Sequence, residues 1–175
     1  MIYTPAEDSL LLEQVVFSRA KGKKVLDIGA GSGIQALAAI KAGAKSVIAA
    51  DINNDAVIIM KRNGINALQS DLFDKVKGKF DLIVCNPPYL PEDEREDSES
   101  SLITSGGKRG DEFIIRFLTQ AASHLNDNGE ILLVTSSLTP RDNIDRLLEQ
   151  LKMKKTVLKT RPMSLEKLEV WSVVQ

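Results

Sequence analysis

The run Lys23-Lys24-Val25-Leu26-Asp27-Ile28, followed by glycines at 29, 31 and 33 and a helical pattern from Ile34 to Ala42, constrains the fold most. A strand that meets three alternate glycines turns tightly, because glycine takes left-handed backbone at no side-chain cost, and the chain returns as a helix ending near Gly43. Ser46 to Asp51 reads as the next strand, Asn53 or Asn54 can cap a helix reaching about Arg62, and Ile65 to Gln69 is a short third strand. This β-α-β rhythm implies parallel pairing.

The other elements fit the same rhythm. Thr4 as N-cap, Pro5 at the first helical position and Glu7 three residues after the cap predict a helix start, with Leu11, Leu12, Val15 and Val16 on its apolar side and Gly22 to end it. Phe80 to Cys85 is an apolar strand. Asp111 can cap a helix carrying Phe113, Ile114, Phe117 and Leu118 and ending around 124–128; Gly129 precedes a strand over Glu130 to Thr135. Pro140 begins a helix to about Met153, and strands are expected over Thr156 to Thr160 and Glu166 to Val174. No repeat or composition break marks a boundary, so one domain over 1–175 is expected.

Charge narrows the function. With 23 basic and 24 acidic side chains and a net charge of -1, no global positive field draws the chain to nucleic acid. A lone cysteine, Cys85, excludes an internal disulfide and a cysteine-rich zinc site, so no metal is expected. The amino terminus has no signal-peptide pattern, and no apolar run nears the roughly 18 to 20 residues of a membrane span, which points to the cytoplasm.

Two stretches carry chemistry. Asn86-Pro87-Pro88-Tyr89 closes the strand at Cys85, and neither proline can donate a ladder hydrogen bond, so the motif leaves the sheet with an amide, a bare carbonyl and an aromatic ring exposed at a strand end. In an open parallel sheet that edge binds ligands. The turn Asp27-Ile28-Gly29-Ala30-Gly31-Ser32-Gly33 departs from the dinucleotide fingerprint, because its third glycine comes one residue early and an aspartate ends the strand. That aspartate repels a pyrophosphate and welcomes an ammonium group. Asp51, at the end of the second strand, is placed to accept both ribose hydroxyls. Asp71 can accept from an exocyclic amine while the amide of Leu72 donates. An amino group, a ribose and an adenine without a diphosphate describe S-adenosylmethionine.

These motifs, with the opening Tyr3-x-Pro5-x-Glu7-Asp8-Ser9-x-Leu11-Leu12 and the later Gly106-Gly107-x-x-Gly110, resemble the HemK family of protein glutamine methyltransferases in its short archaeal and eukaryotic branch. The resemblance implies an α/β, Rossmann-like class I methyltransferase: a seven-stranded, mostly parallel sheet in the order 3-2-1-4-5-7-6, the last strand antiparallel, with helices on both faces. It implies that Ser9 holds the cofactor's methionine end, Asp27, Gly29 and Gly31 its amino acid portion, Asp51 the ribose, and Asp71 with Leu72 the adenine. Asn86, Pro87 and Tyr89 are the implied catalytic residues, with Asn86 also beside the cofactor. The substrate implied is a glutamine amide in a translation release factor, and the partner a small zinc-binding activator subunit forming a heterodimer.

Alternatives accompany each motif. Asn-Pro-Pro-Tyr is shared with enzymes that methylate adenine or guanine amino groups in RNA or DNA, and some relatives in the short branch methylate a protein lysine. Against a nucleic-acid substrate stand the neutral charge and the stretch Glu92 to Glu99, which carries six carboxylates to one arginine. His124 and Trp171 read as structural and Cys85 as a buried hydrophobe. Lys108 and Arg109 are either a solvated loop tip or a contact to substrate.

Overall fold

The computed structural model describes residues 6–89 and 106–175. Seven strands form one sheet: β1 (Lys24–Ile28), β2 (Ser46–Asp51), β3 (Ala67–Gln69), β4 (Phe80–Cys85), β5 (Leu125–Ser136), β6 (Lys154–Pro162) and β7 (Lys167–Val174). Their order is β3-β2-β1-β4-β5-β7-β6, as expected. The first five run parallel, and β7 is antiparallel to both β5 and β6. The chain order reverses at β1, which lies between β2 and β4, and that crevice is where open sheets of this kind take ligands.

Five helices cover the sheet: α1 (Glu7–Arg19), α2 (Ile34–Lys41), α3 (Asn54–Arg62), α4 (Glu112–Ala121) and α5 (Asp142–Gln150). Strand alternation divides the core. Val25, Leu82 and Val84 pack on one face with Leu12 and Val16 of α1, Ala36 and Ala39 of α2 and Met60 of α3. Leu26, Ile28, Ile83 and Cys85 pack on the other face with Ile114, Phe117 and Leu118 of α4, Ile144 of α5 and Trp171 of β7. Because side chains alternate, Asp27 shares the face of Val25, and a residue following Cys85 returns to the face of Val84. Both therefore turn toward α1. Buried acids bolt the helices down: Glu130 on β5 accepts from Arg19 at 2.7 Å and from Ser172 at 2.6 Å. Glu169 on β7 accepts from Arg141 at 2.8 Å and from the Trp171 indole at 2.9 Å.

Several boundaries differ from expectation. The N-cap of α1 is Ala6 without a side-chain cap, and Glu7, the first helical residue, pairs with Arg161 on β6 rather than closing a capping box. Thr4 and Pro5 lie outside the described residues, as do Tyr3 and the acidic stretch Glu92 to Glu99. Asp111 occupies the N-cap position of α4 but its Oδ2 accepts from Asn143 instead of capping. Pro140 stands before α5, because Ser136 to Thr139 first close a turn through the bond from Thr139 N to Ser136 O. β5 begins at Leu125, pairs Phe80 there and then loops out 126–129 before Glu130 meets Leu82. Asp81 stabilises this irregularity by accepting from Asn126 at 2.7 Å and from Lys24 N at 2.8 Å. β6 is longer than its apolar core suggests, because at the sheet edge its outer positions are lysines and threonines, which blunt the edge against further pairing.

Gly33 is the tightest point of the β1–α2 turn. It has φ 78°, and a Cβ there would lie 2.7 Å from Ile65 Cδ1 and 3.0 Å from Met60 Cγ, both fully enclosed side chains. Gly33→Ala combines left-handed strain with crowding and should cost about 2–3 kcal/mol. The expected outcome is a fall in thermal midpoint of roughly 5–10 °C. A midpoint within 1 °C or so of the parent would mean that the turn relaxes freely.

Candidate functional site

The glycine turn is knitted across the crevice by backbone and carboxylate bonds. Gly29 N and Ala30 N donate to Ala50 O at 2.8 and 3.1 Å, which holds the start of the turn against β2. Gly29, Gly31 and Gly33 all have positive φ, as alternate glycines allow. Asp51, at the end of β2, accepts from Gly31 N at 2.7 Å with Oδ2 and from Asn53 N at 2.8 Å with Oδ1. A carboxylate oxygen carries two lone pairs, so each still has room for one hydroxyl.

Asp27 is fully buried and its Oδ2 accepts from Ala36 N at 3.1 Å. Burial pushes its carboxyl up to about 7; the Ala36 amide works against that shift and the neighbouring charge of Asp51 adds to it. Close by in sequence, Ser32 Oγ and Gln35 Oε1 are buried without a partner among the described residues. The other end of Gln35 donates from Nε2 to Ser9 O at 2.9 Å, joining α2 to α1. A buried acid poised to ionise and two idle polar atoms form a pocket wall that suits a zwitterionic amino acid head.

Asn86 lies one residue beyond the Ile28–Cys85 pair, on the α1 side. Its Nδ2 donates to Asp8 Oδ2 and to Ser9 Oγ, both at 3.2 Å. Its Oδ1 is buried and has no partner among the described residues. Tyr89 Oη donates to Asp8 Oδ2 at 3.2 Å, and Tyr89 O accepts from Thr139 Oγ1 at 3.0 Å. Pro87 is buried beside them. Gly106 packs on the same segment, since a Cβ there would sit 2.9 Å from Pro88 O and 2.4 Å from Gly110 O. Glu112 clasps that second glycine turn, accepting from Arg109 N at 3.1 Å and Gly110 N at 3.0 Å. Burial acts to raise the Glu112 carboxyl, but the backbone amides outweigh it and hold it below the usual range.

The structure thus gathers Ser9, Asp27, Gly29, Gly31, Asp51 and Asn86 at the β1 and β4 ends. Asp71 is different: it follows β3, is half exposed and pairs with Arg116 of α4, while Leu72 is buried with φ 45°. Sequence reading missed Arg116, whose helix position carries no motif. It also missed Asp8 as a site residue, although Asp8 sits inside the quoted opening pattern. Gln35 carried no signal beyond its place in the first turn of α2. Arg109 is held by Asp142 at 2.9 Å, which favours the loop-tip reading. His124 bonds Gly78 O at 3.0 Å and stacks on Phe73, and Trp171 is core. Cys85 is fully buried and burial pushes its thiol up, so it is no nucleophile.

Comparison with known proteins decides the family. The model for the methyltransferase small domain matches residues 7–163. This chain belongs to that family. A Methanocaldococcus jannaschii protein whose name proposes protein N5-glutamine methyltransferase activity is 42% identical over 155 residues, covering 83% of this chain and 78% of the relative. The release factor glutamine methyltransferase of Lactococcus lactis is 34% identical over 142 residues, covering 73% of this chain and 53% of its own. The chain therefore spans about half the length of that bacterial relative. Among solved structures, the Encephalitozoon cuniculi Mtq2-Trm112 complex, responsible for methylating the termination factor eRF1, matches with a TM-score of 0.75 and 25% identity, covering 98% of this chain and 97% of that one.

The buried acid of this methyltransferase makes its stability pH-dependent. Unfolded, Asp27 ionises near 3.8, whereas folded it holds its proton to about 7. Between those values the folded chain binds a proton that the unfolded chain has lost, so stability drains away as pH rises from about 4 to about 7. Asp27→Asn removes this component. In ligand-free protein the thermal midpoint of the variant should gain on the parent from pH 5 to about pH 7 and level off above it, and a constant difference between the two across that range would contradict the assignment.

Proposed function

We propose that the chain is an S-adenosylmethionine-dependent methyltransferase that modifies the side-chain amide nitrogen of a glutamine in a translation termination factor. The observation that carries the reading is the buried Asn86 Oδ1, without a partner among the described residues, at the crevice that also holds Asp27 and Asp51. The named activities of the Methanocaldococcus and Lactococcus relatives and of the Mtq2-Trm112 complex support the glutamine and the termination factor.

The pocket fits the cofactor, judged by its buried acid and idle polar atoms. Asp27, Ser32 and Gln35 with Gly29, Gly31 and Ser9 would take the amino acid portion, Asp51 the ribose, and Asp71 with Leu72 the adenine, with Arg116 yielding its hold on Asp71. When bound, the cofactor supplies an electrophilic methyl group on a sulfonium. The chain's own task is alignment, because an amide nitrogen is a poor nucleophile whose lone pair is delocalised into its carbonyl. Asn86 Oδ1 and Pro87 O each accept one N–H of the substrate NH2, which fixes its plane and stabilises positive charge growing on nitrogen. Tyr89 packs against the planar group. No strong base is required, since the nitrogen sheds its proton as it becomes acidic.

Partner binding belongs to the same proposal. β3 is a three-residue edge strand, and Ile52, Ile58 and Ile59 beside it are 66%, 39% and 40% exposed. An unpaired edge flanked by apolar side chains suits strand addition by a small subunit, which the family resemblance gives as zinc-binding. Among the described residues no helix is long and apolar enough to cross a membrane, and we place the enzyme in the cytoplasm.

Labelled S-adenosylmethionine incubated with the chain and host lysate, with and without RNase, tests the function. Label in a glutamine of a termination factor, unaffected by RNase, is expected; label lost with RNase would give the acceptor to RNA. Full activity of an isolated monomer would remove the partner. Asn86→Ala should lower kcat by about 100-fold or more with little change in cofactor Kd, because its hydrogen bond tightens in the transition state. Asp51→Ala should instead weaken cofactor binding by calorimetry, and an unchanged Kd would take Asp51 out of the site.

A further inference from the structure

The first turn of α1 reaches the acceptor motif through one side chain. Asp8 is 8% exposed, and three donors converge on it: Ser9 N at 2.6 Å on Oδ1, and Asn86 Nδ2 and Tyr89 Oη at 3.2 Å each on Oδ2. A carboxylate accepts at both ends and donates at neither, so it alone among side chains of this size satisfies all three. Asn86 Nδ2 gains a second acceptor in Ser9 Oγ.

The consequence falls on Asn86. The oxygen and nitrogen of an amide are nearly isosteric, so packing does not choose between its two orientations; hydrogen-bond partners do. Turned over, Asn86 would set its oxygen against the Asp8 carboxylate, acceptor to acceptor, and would bury its NH2 where Oδ1 now lies. That NH2 would then meet the N–H groups of a substrate amide, donor to donor. With Asp8 in place, the oxygen faces the slot and the nitrogen faces α1.

We propose that Asp8 is the positioning residue that sets the polarity of the Asn86 amide and anchors Tyr89, so that the site offers a hydrogen-bond acceptor to the nitrogen being methylated; this rests on the proposed N-methyl transfer. The anchor is itself held, because the bond from Gln35 Nε2 to Ser9 O fixes the turn to α2. Asp8 touches neither reacting atom and acts through Asn86.

The test combines an exchange measurement with a swap. In the full chain labelled with 15N-asparagine, the Asn86 side-chain NH2, identified by its loss in Asn86→Ala, should exchange slowly with solvent and should exchange at least about tenfold faster in Asp8→Asn, since a buried, doubly bonded NH2 is released. Asp8→Asn should lower kcat by about 100-fold, the scale of losing one oriented polar contact, with the S-adenosylmethionine Kd within about threefold of the parent. The double variant Asp8→Asn/Asn86→Asp reverses the two polarities and again turns an oxygen to the slot, so it should recover at least about tenfold over Asp8→Asn. A merely structural role gives no such rescue. An unchanged exchange rate, a kcat close to the parent, a loss explained by Kd, or a double variant no better than the single would each overturn the assignment. Should Asp8→Asn not fold, the double variant decides alone: folded and active it supports the proposal, otherwise it overturns it. The kinetics use whichever acceptor the lysate experiment labels, so a nucleic-acid acceptor would sink the glutamine reading while leaving Asp8 to its own result, and without any methyl transfer the exchange rates decide.

Discussion

The parallel pairing of β1 with β4 is the constraint on which the site depends. The register Ile28↔Cys85 sets the last residue before the glycine turn against the last before Asn86, so two motifs nearly sixty residues apart in sequence emerge side by side. Strand alternation then turns Asp27 and Asn86 to one face, and α1 covers that face. A slip of one residue in this pairing would send Asn86 to the α4 side, away from Asp8 and Ser9. Register is secured by the run of fully buried side chains on both faces of β1 and β4, which no shifted pairing could bury as well.

Three carboxylates are buried near one crevice, and each is accommodated by different physics. Asp51 is held by two backbone amides, as an anion at a turn can be. Among the described residues Asp8 is held by an amide N–H of its own helix, a side-chain NH2 and a phenol, so its bonds tie α1 to the Asn86–Tyr89 segment. Asp27 has a single amide and the repulsion of Asp51, and it answers by keeping its proton to about pH 7. Burying a carboxylate costs free energy unless bonded partners offset it, and of the three Asp27 is offset least. That deficit is what a cationic ligand group would relieve. The site therefore carries strain in one place and rigidity in the other: Asp27 is short of bonded partners, while Asp8 holds Asn86 and Tyr89 in orientation.

Much of this was legible in the sequence because the signals were local. Apolar runs ended by glycine or proline gave β1, β2 and β4 within a residue, and the Asp-x-Gly-x-Gly-x-Gly and Asn-Pro-Pro-Tyr spacings picked out both halves of the site. What stayed hidden depends on tertiary contact. The start of β5 at Leu125 is imposed by Phe80 and by Asp81 binding Asn126, across the sheet rather than along the chain. Glu7 looked like half of a capping box, and only the fold shows Arg161 beside it. Asp8 lay in a recognisable pattern, but its role needs the contact with Asn86, 78 positions away. Arg116 could not be found at all, because one arginine on an amphipathic helix carries no periodic signal.

The arrangement also bears on how such a site chooses its acceptor. Two oxygens aimed at one nitrogen recognise an NH2 group, and an amide, a nucleobase amine and a neutral lysine all present one. In the proposed mechanism the pair Asn86 and Pro87 supplies reactivity and little discrimination, which leaves selectivity to surfaces farther out. Near the motif three arginines are matched, Arg109 with Asp142, Arg141 with Glu169 and Arg116 with Asp71, while Lys108 is exposed. A guanidinium neutralised in place has less to offer a phosphate backbone, whose binding is built on unpaired lysine and arginine. A polypeptide asks less of it. Backbone hydrogen bonds and apolar contacts suffice for a peptide loop, and among the described residues the sheet ends at β3 in a short edge beside the exposed Ile52, Ile58 and Ile59.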